Sequence, residues 1–252
     1  MNDLFWYALL VVAGFAAGVV NAIAGGGSFL TLPALMLFGL DPKLANGTNR
    51  LAVLLSSASA VATFNKHQVL DRKLALRLTI PTLAGVPVGA LLAVYLPAES
   101  FEGLFGVIFL IMAVVLLLNP KRLLENHVAA EKPPHALLPL FFGIGVYVGF
   151  IQAGMGILVL IAMSWLNTGD LLASNAIKNF IGFVVTLAAT LVFVCYGMVE
   201  WLPGLTMAAG NLAGGFVGAK LAIRKGSRLV FVFLVVVMVA TGIKLLASSI
   251  TG

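Results

Sequence analysis

Charged side chains are scarce in this sequence. Asp, Glu, Lys and Arg make up 10% of its 252 residues, whereas 61% of the residues are hydrophobic. Soluble domains usually carry about 25% charged residues, and a chain of this length has too little interior to hide so much apolar surface from water. The composition therefore excludes an ordinary soluble domain and predicts a protein whose surface faces membrane lipid.

Residues for catalysis and metal binding are scarce as well. Cys195 is the only cysteine, which excludes an intramolecular disulfide and a cysteine metal cluster. His67, His127 and His135 lie in basic loops without the spacing of metal ligands. No Ser/His/Asp set, paired carboxylate site or P-loop occurs in the sequence. We therefore expect no catalytic residues, no metal and no cofactor, and an ATP-driven pump is disfavoured unless another chain supplies the motor.

Apolar segments dominate what is present. Spanning a bilayer takes about 20 residues of helix, and backbone groups in lipid must form their hydrogen bonds within the segment. The sequence therefore predicts an all-α membrane protein, a polytopic bundle whose first segment is retained and not a cleaved signal. We predict ten segments, of which 27–39 and 155–167 are too short to span: 4–23, 27–39, 44–65, 74–96, 101–118, 137–152, 155–167, 171–196, 202–222 and 229–249.

The chain contains an internal duplication with an offset of 129 residues. Asp41 falls on Asp170, and "LAGVPVGALLA" at 83–93 falls on "LAGGFVGAKLA" at 212–222, with eight of the eleven pairs identical. Small and apolar residues are common in membrane helices, but a gapless match of this length is not expected from composition alone. We predict a first membrane repeat at 1–118, a linker at 119–136 and a second repeat at 137–252.

Basic residues indicate the orientation of the chain in the membrane. Ten of the 15 Lys and Arg lie in three clusters: in the loop after the third segment, in the linker and before the last segment. Five segments per repeat place all three clusters, and the linker, on the cytoplasmic side. The net charge of +6 then follows from topology and requires no nucleic-acid partner. The odd number of crossings also makes the repeats inverted, whether the first two segments of each repeat cross fully or form a re-entrant hairpin.

Glycines interrupt the two short segments at matching places. The first break contains Gly25, Gly26 and Gly27, followed by Ser28, and the second contains Gly154 and Gly156. Inverted repeats with glycine-broken segments are typical of secondary transporters. A helix that begins inside the membrane offers free N–H donors and a positive dipole end to an anion. The alternative is that the glycines only allow close helix packing, which is the interpretation favoured for four others: Gly85, Gly89, Gly214 and Gly218.

Each repeat also carries one cation and two amides on a single helix face. The first repeat has Asn46, Asn49 and Arg50, and the second has Asn175, Lys178 and Asn179, both at spacing i, i+3, i+4. A charge inside a membrane is costly, so such residues tend to face a cavity or a partner; snorkelling to the interface is the alternative. We predict that these residues bind substrate together with the glycine breaks.

Two further amides precede the breaks. Asn21 lies before the first and Gln152 before the second, where each could add an amide donor to the substrate site or serve as a backbone cap.

Several of these motifs resemble those of a known family. The "AGGGSFLTLPAL" break, the Gly47-Thr48-Asn49-Arg50 stretch and the repeated "LAG…VGA" are similar to the TauE/SafE family of sulfite and organosulfonate exporters, over nearly the whole chain. The resemblance implies a bacterial inner-membrane carrier for a small sulfur-containing or carboxylate anion. The second repeat departs from the pattern, with "GMG" for "GGG" and "NAIKN" for "NGTNR", so one half-site is expected to differ from the other.

Three hypotheses follow for function. The first is a secondary carrier that exports a small anion by alternating access, driven by the proton gradient or the membrane potential. The second is a passive anion channel of the same architecture, and the third is an intramembrane enzyme or sensor component, against which the lack of catalytic residues argues. The sequence leaves open whether the protein forms a homodimer. It also leaves open whether Asp71 and Glu200 are proton-linked gates or, as we favour, caps of the following helices.

Overall fold

The computed structural model describes residues 3–23, 25–117, 137–164 and 171–224, together with positions 239, 243, 246 and 247. Within these ranges the regular structure is helical, and no strand occurs. The helices are α1 Asp3–Ile23, α2 Ser28–Phe38, α3 Pro42–Lys66, α4 Arg72–Tyr95, α5 Ala98–Leu117, α6 Leu138–Phe150, α7 Met155–Ser164, α8 Leu171–Cys195 and α9 Trp201–Arg224.

Nine of the ten predicted segments agree with the described helices to within a few residues. The two short segments are confirmed as short helices, because α2 has 11 residues and α7 has 10. The linker at 119–136 and most of the tenth segment, 229–249, lie outside the described residues. Four of the described helices are long and apolar enough to cross a membrane: Leu4–Ile23, Arg72–Tyr95, Ala98–Val115 and Leu172–Cys195.

Aspartates begin two of the long helices. The Asp41 carboxylate accepts hydrogen bonds from the backbone N–H groups of Lys43 at 2.9 Å and Leu44 at 3.1 Å. The Asp71 carboxylate accepts one from the N–H of Leu74 at 3.0 Å. Such side chains satisfy donors that the first turn of a helix leaves free. The capping interpretation of Asp71 is therefore confirmed.

Small residues bring two pairs of helices into close contact. α1 lies along α9, and α4 lies along α6. A methyl group at Gly85 or Gly89 would overlap backbone of α6, and one at Gly214 or Gly218 would overlap backbone of α1. The packing interpretation of these four glycines is confirmed, because only a residue without Cβ permits such an approach.

Helix contacts recur in corresponding pairs. The offset of 129 residues matches α2, α3 and α4 with α7, α8 and α9, and α1 and α6 precede the two breaks. The contact of α1 with α9 then corresponds to that of α6 with α4, and the contact of α3 with α9 corresponds to that of α8 with α4. α3 also packs against α8, its own counterpart. These two helices carry the predicted polar residues, so the polar faces of both halves meet near the centre of the described bundle.

Phenylalanines of α5 pack beside the glycine breaks. Phe101, Phe105 and Phe109 are spaced by one helical turn and are fully buried. Phe101 contacts the ring of Phe150 at the end of α6, and Phe109 contacts that of Phe29 at the start of α2, with ring centroids 5.3 Å and 5.0 Å apart. This aromatic row therefore supports the backbone around both breaks from one side.

Candidate functional site

The two glycine breaks lie against each other. Gly25 and Gly154 adopt left-handed backbone conformations, with φ of +81° and +73°. A methyl group added to Gly25 would overlap the Cα of Gly156 across the interface. Glycine is the residue that adopts this conformation without a steric cost. The breaks thus need glycine both for the reversal of the chain and for the contact between them.

In the first break, Asn21 caps the short helix that follows. Its Oδ1 accepts a hydrogen bond from the backbone N–H of Gly27 at 2.8 Å. The cap interpretation of Asn21 is therefore confirmed. Its Nδ2 has no partner among the described residues, although Asn21 is only 8% exposed. The amide oxygen therefore stabilises the break, whereas the amide nitrogen is a buried donor without a described partner.

The start of α2 is tied to the polar face of α3. The Asn49 Nδ2 donates a hydrogen bond to the Ser28 hydroxyl at 3.2 Å, and the Thr31 hydroxyl donates one to the Asn49 Oδ1. The backbone carbonyl of Gly26, in turn, accepts from the N–H of Phe29 at 3.1 Å. Asn49 therefore supports the first break with its whole side-chain amide.

In the second break, Gln152 has a different role from Asn21. Its Nε2 donates a hydrogen bond to the Thr186 hydroxyl on α8, so the side chain bonds a neighbouring helix. Its Oε1 is buried and has no partner among the described residues. Gln152 is 3% exposed. The cap interpretation therefore does not apply to this side chain, which leaves a buried acceptor beside the break.

The Arg50 guanidinium binds the end of α6, in the opposite half. Its two terminal nitrogens donate to the carbonyls of Val148 at 3.0 Å and Gly149 at 2.7 Å. The Asn46 Nδ2 donates to the next carbonyl, that of Phe150, at 2.8 Å. The guanidinium carbon also lies 4.4 Å from the centre of the Phe193 ring, a cation–π contact. Arg50 is thereby enclosed by protein and is fully buried.

The Lys178 ammonium binds the end of α1 in the corresponding way. It donates to the carbonyls of Asn21 at 3.0 Å and Ala22 at 3.3 Å. The Asn175 Nδ2 also donates to the Ala22 carbonyl, at 2.9 Å, and the Asn179 Nδ2 donates to the Asn175 carbonyl at 2.8 Å. In each half, therefore, an asparagine and a cation hold the carboxyl end of the helix that precedes the break of the other half.

Helix ends provide the electrostatic environment of both cations. The last carbonyls of a helix have no partner within it and carry partial negative charge. Arg50 and Lys178 satisfy such carbonyls, and neither pairs with a carboxylate among the described residues. Their exposures of 0% and 2% contradict the snorkelling alternative, since a snorkelling side chain would reach the solvent.

A cavity lies where the two breaks and the polar faces meet. It contains about 300 Å³ of space between atoms, part of it open to the outside. Of the predicted site residues, the cavity is lined by Asn21, Gly25, Ser28, Gln152, Gly156, Lys178 and Asn179. Among these, Lys178 is the charged residue, and the described lining contains no carboxylate. The cavity therefore has a positive character suited to an anion.

Other predicted residues support this cavity without lining it. Arg50 and the three amides Asn46, Asn49 and Asn175 face backbone or the start of α2 instead. Gly26, Gly27 and Gly154 form the turns behind the lining. The structure thus places these residues outside the cavity lining, and their binding of substrate stays a prediction. Asn46 and Arg50 bond the end of α6, and Asn175 bonds the end of α1. Asn49 bonds Ser28 and Thr31 in its own half. The Asn46 Oδ1 and the Arg50 Nε have no partner among the described residues.

Four lining residues were not predicted from the sequence. Val53 and Ser57 lie on α3, and Met155 and Gly182 lie on α7 and α8. Val53 and Ser57 continue the face of Asn46 and Asn49 by one and two turns, and Gly182 lies one turn after Lys178. Extending the two polar faces at helical spacing would have identified three of the four.

The chain is similar to known membrane proteins. A family model described as "Sulfite exporter TauE/SafE" matches residues 10–245. A probable membrane transporter protein, ORF9, from Sinorhizobium sp is 32% identical over 98% of this chain and 95% of its own length. The probable membrane transporter protein YfcA of Escherichia coli K12 is 30% identical over 99% of this chain and 90% of its own length. A probable membrane transporter protein of Haemophilus influenzae is 29% identical over 88% of each chain.

Proposed function

Because this chain belongs to the TauE/SafE family of sulfite exporters, we propose that it is a secondary transporter for a small anion. The anion is of the sulfite or organosulfonate class, and it is exported across a bacterial inner membrane by alternating access. The observation that best supports this proposal is the cavity at the two glycine breaks, whose described lining has a buried lysine and no carboxylate.

Several groups in the cavity favour an anion over a cation. The Lys178 ammonium supplies a positive charge, and the Asn21 Nδ2 is a buried donor without a partner among the described residues. Ser28 and Gly156 belong to the first turns of α2 and α7, where backbone N–H groups and the positive dipole end attract negative charge. A sulfite or sulfonate group has three oxygens in a compact arrangement, which suits several converging donors.

Alternating access requires two states related by movement of the halves. The corresponding helix contacts support a pair of inverted repeats. So does the binding of the α1 and α6 ends, each by an asparagine and a cation of the opposite half. In transporters of this kind the substrate lies between the repeats, and rocking of one repeat against the other exposes it to each side in turn. The cavity here is lined by residues of both halves, as that mechanism needs.

The orientation is inferred from the basic loop between α3 and α4. Lys66, Arg72 and Lys73 are exposed there, and Arg77 is exposed in the next turn. Clustered Lys and Arg next to membrane segments favour the cytoplasmic side. We infer that the end of α3 and the start of α4 face the cytoplasm, as does the linker at 119–136.

Efflux and counterflow in proteoliposomes test this proposal. Vesicles holding only this protein are loaded with radiolabelled sulfite or an organosulfonate, and protein-free vesicles are the control. We expect protein-dependent movement of one anion and stimulation of that movement by unlabelled anion on the opposite side. Flux without such stimulation, at a conductance far above carrier turnover, indicates the passive channel. Absence of flux for every sulfur-containing or carboxylate anion tested contradicts the proposal.

A further inference from the structure

We propose that the two buried cations have different roles, so that each chain has one anion site. Lys178, with the Asn21 amide, binds the anion in the cavity. Arg50 is a structural residue that holds the end of α6 and does not contact the anion. This inference rests on the proposed anion transport and assigns the residues that perform it.

Arg50 has the surroundings of a structural clamp. Its two terminal nitrogens bond the carbonyls of Val148 and Gly149, and the Phe193 ring covers the guanidinium. It does not line the cavity, and it has no exposed surface. The Arg50 Nε has no partner among the described residues, but it lies outside the cavity lining. An anion at the two terminal nitrogens would have to displace the end of α6.

Lys178 has the surroundings of a ligand-binding group. It lines the cavity and donates two hydrogen bonds, at 3.0 Å and 3.3 Å. An ammonium group has three protons, so one proton remains after these two bonds. No aromatic ring among the described residues covers this charge, in contrast to Arg50. The third proton can therefore be donated to an anion without breaking the contact with α1.

Two unpartnered polar atoms in the same lining indicate that something binds there. Asn21 and Gln152 are at least nine-tenths buried, and the Asn21 Nδ2 and Gln152 Oε1 have no hydrogen-bond partner among the described residues. Buried polar groups are nearly always hydrogen-bonded, so such atoms call for an occupant. The Asn21 backbone carbonyl accepts from Lys178, which places this free amide on the residue that the lysine already contacts.

The duplication explains why the second site is missing. With the offset of 129 residues, Lys178 falls on Asn49, and Arg50 falls on Asn179. Asn49 uses its amide on Ser28 and Thr31, so the first half has no cation at the position of Lys178. Arg50, one residue further along α3, is directed to the end of α6 instead. A single anion per chain follows from this exchange of neighbouring residues.

The test is sulfite-dependent thermal stabilisation of the purified full-length protein in detergent. Lys178→Gln removes the charge but keeps an N–H donor for the α1 carbonyls. Asn21→Asp keeps an oxygen to accept from Gly27 but adds a negative charge to the cavity. Arg50→Gln removes the clamp. Lys220→Gln is the matched control, because Lys220 is an exposed lysine of α9 that does not line the cavity.

We expect sulfite to raise the melting temperature of the wild type and of Lys220→Gln. Lys178→Gln and Asn21→Asp should weaken apparent sulfite affinity by about tenfold or more, the loss expected for one charge-assisted hydrogen bond. Arg50→Gln should melt at a lower temperature without sulfite, yet keep the sulfite-dependent rise with its affinity changed by less than about threefold. If Arg50→Gln does not fold, Arg50→Lys replaces it, with the same expectation.

Two results overturn the inference. One is a folded Arg50 variant that loses the sulfite response, and the other is a normal sulfite response in both Lys178→Gln and Asn21→Asp. Failure of the proposed function itself looks different, because the wild type then neither transports nor is stabilised by any of the anions tested.

Discussion

The two halves of this protein hold their buried cations in the same way, but the surroundings of the two cations differ. In each, an asparagine and a cation on a long helix bind the carboxyl end of a helix from the opposite half. Arg50 is then closed in by Phe193, whereas Lys178 borders a cavity. The comparison teaches that two halves can keep the same contact with each other while only one of their two cations borders a cavity.

The largest expected effect on stability concerns the two glycine breaks. Gly25 and Gly154 are counterparts with positive φ, so alanine at either is strained by about 1–2 kcal/mol. At Gly25 the new methyl group would also overlap the Gly156 backbone, but at Gly154 it meets the ends of the Met112 and Phe29 side chains. We expect Gly25→Ala to cost about 2–4 kcal/mol of unfolding free energy and Gly154→Ala about 1–2 kcal/mol.

Titration with sodium dodecyl sulfate, followed by tryptophan fluorescence, measures both costs. Gly39→Ala is the matched control, because Gly39 has φ of +117° and nothing within 4 Å of the added methyl group. The loss of unfolding free energy in Gly39→Ala measures the backbone strain alone. A loss at Gly25 no larger than that at Gly39 would mean that the two breaks are not in contact.

Substitution of the two asparagines that bind helix ends is expected to have an intermediate effect on stability. Asn46 is the described side chain that bonds the Phe150 carbonyl, whereas the Ala22 carbonyl bonded by Asn175 also accepts from Lys178. An unsatisfied buried carbonyl costs about 1–3 kcal/mol. We therefore expect Asn46→Ala to destabilise the protein by about 1–2 kcal/mol, and Asn175→Ala by about half as much. Equal losses in the same titration would show that the two helix ends are held equally.

The smallest effect concerns the ring that covers Arg50. Phe193→Leu removes the cation–π contact, which contributes about 0.5–2 kcal/mol, and also reduces buried apolar area. Phe141→Leu is the control, since Phe141 is equally buried on α6 and has no described cation over its ring. We expect Phe193→Leu to cost about 1 kcal/mol more than Phe141→Leu. The same loss in both variants would assign the role of Phe193 to packing alone.

Much of the fold was predictable because helical membrane segments are defined locally. Apolar length identifies the long helices, and glycine clusters identify the short ones, α2 and α7, to within a few residues. Asp71 as a helix cap and Gly85 as a packing residue also follow from their immediate sequence. The polar trios could be recognised in the sequence because charge and amides at helical spacing are unusual in apolar segments, and the structure buries all six residues.

The sequence by itself determined that the chain is a helical membrane protein and that Arg50 and Lys178 lie on similar polar helix faces, and it predicts the duplicated organisation. Only the tertiary structure decided that the helix ends of the opposite half occupy both cations, that Gly25 meets Gly156, and that the cavity lies on the side of Lys178. The physical reason is the separation along the sequence over which each kind of interaction acts. Hydropathy and helical spacing act over a few turns of one chain segment, whereas the partner of a buried charge is set by residues about a hundred or more positions away in sequence.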